Sequence, residues 1–272
     1  MNLLFQSNYF PEEREIWEKY GAIILNGLCP EKIIKEFTPV VARGNTTFDR
    51  SVKQSFKYND WTNIMWPFNN DWKVYNYDYL LNCSDLINRD ARIFKIEEIA
   101  NDWTMQEVTG GFRGSKYWII SNSGSKQFSG GVFDLAEFLV EREYLSRKNL
   151  DIELMVATPK KLKQEWRCVI INHMVISTSQ YMNEGEPEIK SFRETPLEVI
   201  DFAEYWVKKH MFMFPDSYVL DVCDMGGWSV DSGGGYEYDL YVVEVNNLTT
   251  SEYYACDIER IVEEIVNQLE QI

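Results

Sequence analysis

Two apolar runs meet at Asn172-His173. Glu165 to Ile171 on one side and Met174 to Tyr181 on the other read as strands, and two residues separate them. So short a link closes an antiparallel hairpin, and asparagine tolerates the positive φ that such a turn needs. The second half of the chain builds outward from this hairpin. Asp134 with Glu137 is a helix-capping pair, opening a helix to about Lys148. Glu153 to Ala157 reads as a short strand. Thr195-Pro196-Leu197-Glu198 reads as a capping box with proline at the first helical position, so a helix runs to about Met211. Tyr218 to Cys223 and Leu240 to Val245 are strands, with a glycine-rich excursion, Gly226 to Tyr238, between them. The last helix starts at Asp257 and carries Ile258, Ile261, Val262, Ile265, Val266 and Leu269 on one face.

The first half is less regular. Pro11 to Tyr20 and Pro30 to Phe37 read as helices, with a buried strand, Ala22 to Leu25, between them. Ile93 to Trp103 reads as a further helix. This alternation suits a small α/β unit. A change of texture near Gly110-Gly111 suggests an N-terminal α/β domain over 1–110 and a second domain over 111–272. Hairpins together with helices point to an α+β or mixed α/β class.

Composition limits the partners. The chain has 272 residues and a formal charge of −16, with 15% aromatic residues. Aromatic residues spread from end to end exclude disorder as the dominant state. No apolar run approaches the ~20 residues of a membrane span. The acidity disfavours generic nucleic-acid or anionic-membrane binding. Met1 to Gln6 lacks the basic region and long apolar region of a secretory signal. Cys29, Cys83, Cys168, Cys223 and Cys256 form no C-x-x-C pair, and the expectation is reduced thiols in the cytoplasm. Only His173 and His210 are present, and each reads as a solvated imidazole. The tryptophans Trp17, Trp61, Trp66 and Trp72 read as core or interface.

Three clusters carry candidate chemistry. In Tyr241-Val242-Val243-Glu244-Val245-Asn246, a period of two puts Glu244 and Asn246 on one face of an otherwise apolar strand. A carboxylate and an amide carbonyl so spaced can share one Mg²⁺, which takes oxygen ligands and substrate phosphates. Asp221 on a neighbouring strand is a third candidate. The alternative is a satisfied polar ladder. The loop Ser121 to Gly131 carries Lys126 among small residues, either as a phosphate cradle or as an ordinary hairpin loop. It lacks the Walker spacing, and G-x-G-x-x-G is absent from the chain. In Glu165-Trp166-Arg167, Glu165 and Arg167 share a face. They form an ion pair, mutual or cross-strand, or Arg167 clamps a phosphate or carboxylate.

The order of these pieces resembles the ATP-grasp superfamily, and more closely a phage-rich clade of small ATP-grasp proteins. The resemblance rests on Lys126-Gln127-Phe128-Ser129-Gly130-Gly131-Val132-Phe133, Glu165-Trp166-Arg167-Cys168-Val169-Ile170 and Ser179-Gln180-Tyr181. Leu220-Asp221-Val222 and Val243-Glu244-Val245-Asn246 complete it. It covers about residues 112–257, and Val40-Val41-Ala42-Arg43-Gly44 is a candidate extension. The resemblance implies two α+β lobes that grip ATP. It implies a carboxylate–amine (or thiol) ligase working through an acyl-phosphate, with a small-molecule, peptide or protein acceptor. Lys126 then touches the phosphates, and Glu153, Met155 and Val156 lie in the hinge beside adenine. Glu165 sits in the nucleotide site, Arg167 stabilises the transferring phosphoryl group, and Asp221, Glu244 and Asn246 hold Mg²⁺. Relatives usually carry an Arg-Pro pair where this chain has Ile120-Ser121, with Arg113 and Lys116 as nearby substitutes. Asp224, Asp231, Glu237 and Asp239 are alternatives to Asp221. A non-catalytic nucleotide-binding or adaptor module is the competing expectation. A lysyl–AMP nucleic-acid ligase fits less well, because Lys126 to Gly130 is one residue longer than its usual motif.

Overall fold

The computed structural model describes residues 2–28, 40–45, 47–52, 75–99, 116–123, 130–147, 152–226 and 238–271. They fall into two compact units that interleave along the chain. The first comprises Met1–Asp71, Lys163–Leu240 and Val245–Ile272, and the second Trp72–Leu162 and Tyr241–Glu244. The boundary expected near Gly110-Gly111, the helix expected over Pro30 to Phe37, and Trp61, Trp66 and Trp72 lie outside the described residues.

The first unit holds a small parallel sheet of β1 (Asn2–Gln6), β2 (Ile23–Leu25) and β3 (Val40–Arg43), in the order β2-β1-β3. A 3-10 turn (Pro11–Glu13) leads into α1 (Arg14–Lys19) between the first two strands. A larger sheet runs β10-β9-β8-β11-β12, and Tyr241–Glu244 of its last strand are counted with the second unit. These strands are β8 (Gln164–Ile171), β9 (Met174–Asn183), β10 (Glu186–Lys190), β11 (Tyr218–Asp224) and β12 (Leu240–Asn246). Asn172 and His173 take φ of 51° and 57°, the left-handed turn that the β8–β9 hairpin requires. Leu3, Phe5, Trp17 and Val41 share one core with Val169, Ile176 and Val219. Ile261, Val262, Ile265 and Leu269 close that core from the C-terminal helix (Ile258–Gln271), whose apolar stripe is buried as its periodicity requires. Asp257 caps this helix by accepting the Arg260 N–H at 3.1 Å.

The other helix of this unit, Leu197–His210, corrects one expectation. Its N-cap is Pro196, and no side chain caps it. The Thr195 hydroxyl instead bonds the Thr178 hydroxyl at 2.8 Å, so a partner on β9 outcompetes the local cap. A reciprocal capping box forms one turn earlier, between Ser191 and Glu194.

The second unit is an antiparallel sheet in the order β4-β7-β5-β6. Its strands are β4 (Arg92–Lys95), β5 (Tyr117–Ser121), β6 (Gly131–Phe133) and β7 (Glu153–Ala157). The helix expected from Ile93 is therefore a strand through Lys95, followed by a 3-10 turn over Ile96–Glu98. Pairing with β7 decides this short segment against its local helical pattern. The helix Leu135–Arg147 is capped as expected: the Glu137 N–H donates to Asp134 at 2.9 Å, and the Asp134 N–H donates to Glu137 at 2.8 Å. Tyr117, Ile119, Phe138, Leu154 and Val156 form the core. Among the described residues no helix is long and apolar enough to cross a membrane.

Candidate functional site

Register brings the polar residues of the first unit together. Arg167 on β8 lies directly opposite Asp221 on β11. Its Nε donates to Asp221 Oδ1 at 2.9 Å and its Nη2 to Oδ2 at 2.8 Å, a bidentate pair. Asn246, near the end of β12, donates from Nδ2 to Asp221 Oδ2 at 3.0 Å. Arg167 Nη1 donates to the Glu252 carbonyl at 2.7 Å. Arg167 and Asp221 are buried, only 7% and 1% exposed. Burial by itself lowers the Arg167 pKa, but the Asp221 carboxylate overrides it and holds the guanidinium above its usual value. The cross-strand alternative read from sequence is the pair that forms.

Glu165 does not pair with Arg167. It accepts the Tyr181 hydroxyl at 2.9 Å. Tyr181 stacks on Tyr254 at 5.0 Å between ring centres, with planes 7° apart. The Arg167 guanidinium sits 4.9 Å from the Tyr254 ring centre and 5.5 Å from that of Tyr181. Tyr254 holds φ at 51°, a conformation costly for a bulky residue, so its surroundings impose it.

Within the second unit, Glu244 accepts the Tyr77 hydroxyl at 2.9 Å. Glu153 accepts from Asn122 Nδ2 at 3.2 Å, and its carbonyl accepts the Asn122 N–H at 2.8 Å. Met155 and Val156 on β7 are fully buried. Lys160 pairs with Asp90 at 2.6 Å. Lys126, Arg113, Asp231 and Glu237 lie outside the described residues, and Lys116 is exposed. Asp224 holds the backbone in place. Its Oδ1 accepts the N–H groups of Gly226 (2.8 Å) and Asp239 (3.0 Å), which ties together both ends of the glycine-rich excursion. His210 is buried and contacts the Trp206 carbonyl, not solvent.

Asn122 falls within the candidate loop Ser121 to Gly131, whereas Tyr77 and Tyr254 escape a reading of the sequence. Their partners lie far along the chain (167 positions from Tyr77 to Glu244), and no local motif marks them.

Known proteins give the arrangement a family. No curated protein matches the sequence. Solved structures do match across nearly the whole chain. The crystal structure of a RimK domain ATP-grasp protein from Sphaerobacter thermophilus matches with TM-score 0.61 at 15% identity, covering 100% of this chain and 98% of that one. The D-alanine–D-alanine ligase of Bacillus anthracis complexed with ATP gives 0.63 at 13% identity, with coverage of 100% and 98%. A RiPP-associated ATP-grasp ligase from Chryseobacterium gregarium, in complex with ADP and a leader and core peptide, gives 0.54 at 11%, with coverage of 100% and 97%. These likenesses establish the ATP-grasp fold, in the α+β class. The family model of the ATP-grasp domain, R-2-K clade family 2, matches residues 102–263, more than half of the sequence, and the chain belongs to that family.

Proposed function

We propose that the protein is an ATP-dependent ligase that joins a carboxylate to an amine or thiol through an acyl-phosphate. The observation that carries this is the buried set Arg167, Asp221 and Asn246. A buried ion pair is weak support for stability, since its desolvation cost offsets most of its attraction. A guanidinium held rigidly by a carboxylate and a backbone carbonyl is well suited to a phosphoryl group. Among the described residues, Arg167 spends three of its five N–H groups on protein acceptors.

Phosphoryl transfer needs positioning and charge neutralisation more than a side-chain nucleophile. Lys126 and Arg167 address the phosphates in this reading. Glu153, Met155 and Val156 on β7 and Glu165 on β8 line the nucleotide site. Glu244, Asn246 and Asp221 are the candidate Mg²⁺ ligands. The donor chemistry fits, being carboxylate and amide oxygen throughout. Asn246 turns its nitrogen to Asp221, which makes its oxygen the end offered to a cation. Asp221 already receives three N–H groups, so Glu244 and Asn246 carry most of the metal binding. When bound, Mg²⁺ neutralises phosphate charge. The substrate carboxylate oxygen bonds to the terminal phosphorus as the bond to ADP breaks. The amine nitrogen then bonds to the acyl carbon, phosphate leaves with the bonding pair, and the nitrogen loses a proton. The neighbours include ligases of small molecules and of peptides. Both acceptor classes are therefore candidates here.

The test is ADP release with ATP, Mg²⁺ and a panel of amino acids, small acids and peptides. Multiple turnovers with at least one acceptor pair are expected, and Glu244→Ala reduces them at least a hundredfold. Unchanged turnover in Glu244→Ala refutes the assignment. ATP binding with no turnover for any acceptor identifies a nucleotide-binding module instead.

A further inference from the structure

A second buried arginine holds the segment that leads away from Asn246. Arg43, at the end of β3, is fully buried. Its Nε donates to Glu13 Oε2 at 2.9 Å, and its Nη2 pairs with Glu13 Oε1. The guanidinium lies between two rings, 3.6 Å from the centre of Phe10 and 3.9 Å from that of Tyr253. Burial alone lowers its pKa, but Glu13 overrides that and keeps the arginine charged. Its remaining nitrogen faces the segment 247–254. Nη1 donates to the Thr249 carbonyl at 3.3 Å and to the Ser251 carbonyl. The next residue adds a backbone contact, because the Gly44 N–H donates to the Thr249 carbonyl at 3.1 Å. Only glycine fits there, since a Cβ would lie 2.5 Å from the Phe48 ring and 2.7 Å from Gln6 Oε1.

The same segment supplies the carbonyl that orients Arg167. Glu252, one residue beyond Ser251, accepts Arg167 Nη1 at 2.7 Å. Asp221 fixes one edge of the Arg167 fork, and Glu252 fixes another. We infer that Arg43 is a positioning residue: by gripping the carbonyls of Thr249 and Ser251 it holds Glu252 where Arg167 needs it. The inference rests on the reading of Arg167 as a phosphate-facing group. Arg43 touches no substrate, and its effect passes through the chain segment alone.

Binding of Mg·ATP and Mg·ADP, measured by calorimetry on the full chain, tests it. Two variants remove the grip. Arg43→Lys keeps the charge beside Glu13 but cannot reach both carbonyls. Glu13→Gln with Arg43→Met removes the charged pair together, leaving no lone buried charge. Both are expected to lower the ATP-to-ADP affinity ratio about tenfold, the scale of one charge-assisted hydrogen bond. Arg167→Lys should lower it at least as much. A purely structural role for Arg43 weakens both nucleotides alike and leaves the ratio at its wild-type value, which overturns the inference. If the double variant does not fold, Arg43→Lys decides alone. If Arg167→Lys itself leaves the ratio unchanged, the reading of Arg167 fails and this inference falls with it. If Arg167→Lys lowers the ratio and the Arg43 variants do not, only the inference falls.

Discussion

Asp221 sits between two roles, and substitution separates them. Asp221→Ala leaves the Arg167 guanidinium buried without its carboxylate. That is expected to cost about 3–5 kcal/mol of unfolding free energy, measured by urea titration. Replacing the pair together, Arg167→Met with Asp221→Leu, should recover most of that loss because no lone charge remains. The double variant is then stable but has lost the group proposed to meet the phosphates, and its turnover stays at background. A stable, fully active double variant would show the pair to be mere scaffolding. Sequence pattern identifies Arg167 and Asp221 as residue types in strands, and register supplies what pattern lacks, namely which faces which. Arg43 shows the limit. Val40 to Gly44 is a candidate extension of the family resemblance, but the contact of Arg43 with Thr249 spans 206 positions, and nothing in the sequence names that partner.

Legibility at the level of elements follows the reach of the forces involved. The β8–β9 hairpin is readable because its turn is chosen locally. Asn172 and His173 do adopt the left-handed backbone. Histidine is strained there, and the bond from its N–H to the Asp216 carbonyl at 2.7 Å is a backbone contact that any residue keeps. His173→Gly is therefore expected to raise stability by about 0.5–1 kcal/mol, read as a shift in urea midpoint at constant slope. A loss of stability would mean that the imidazole contributes more than the turn strain costs. Elements chosen by distant partners are harder to read. β10 is an edge strand carrying Pro187 and three charged residues, which blunts the alternation that identifies strands. β4 looks helical until β7 pairs with it. Asp134 keeps its cap while Thr195 loses its own to Thr178, and no local sequence rule tells those two cases apart.

On the scale of the whole molecule, the buried thiols set an alkaline limit. Burial pushes the Cys256 thiol from 9.0 up to about 12, and Cys168 well above its usual value. In both cases the folded state holds a proton that the unfolded chain releases near pH 9. Stability present below that pH is thus lost as pH rises from about 9 toward about 12. Each thiol contributes a slope of up to about 1.4 kcal/mol per pH unit. Urea unfolding at pH 8, 9 and 10 should show the decline, and Cys256→Ser should make it shallower, leaving the share of Cys168. A pH-independent midpoint across that range contradicts the assignment.

Interleaving carries a practical corollary. The family module within this chain begins at residue 102, yet the first unit draws on Met1–Asp71 as well. Excising residues 102–263 would discard Leu3, Phe5, Trp17 and Val41 along with the C-terminal Ile265 and Leu269. The truncated product would present an apolar surface to water and lack the arginine that tethers its own Thr249. Anyone dissecting this protein by trimming would be left with an aggregating remnant.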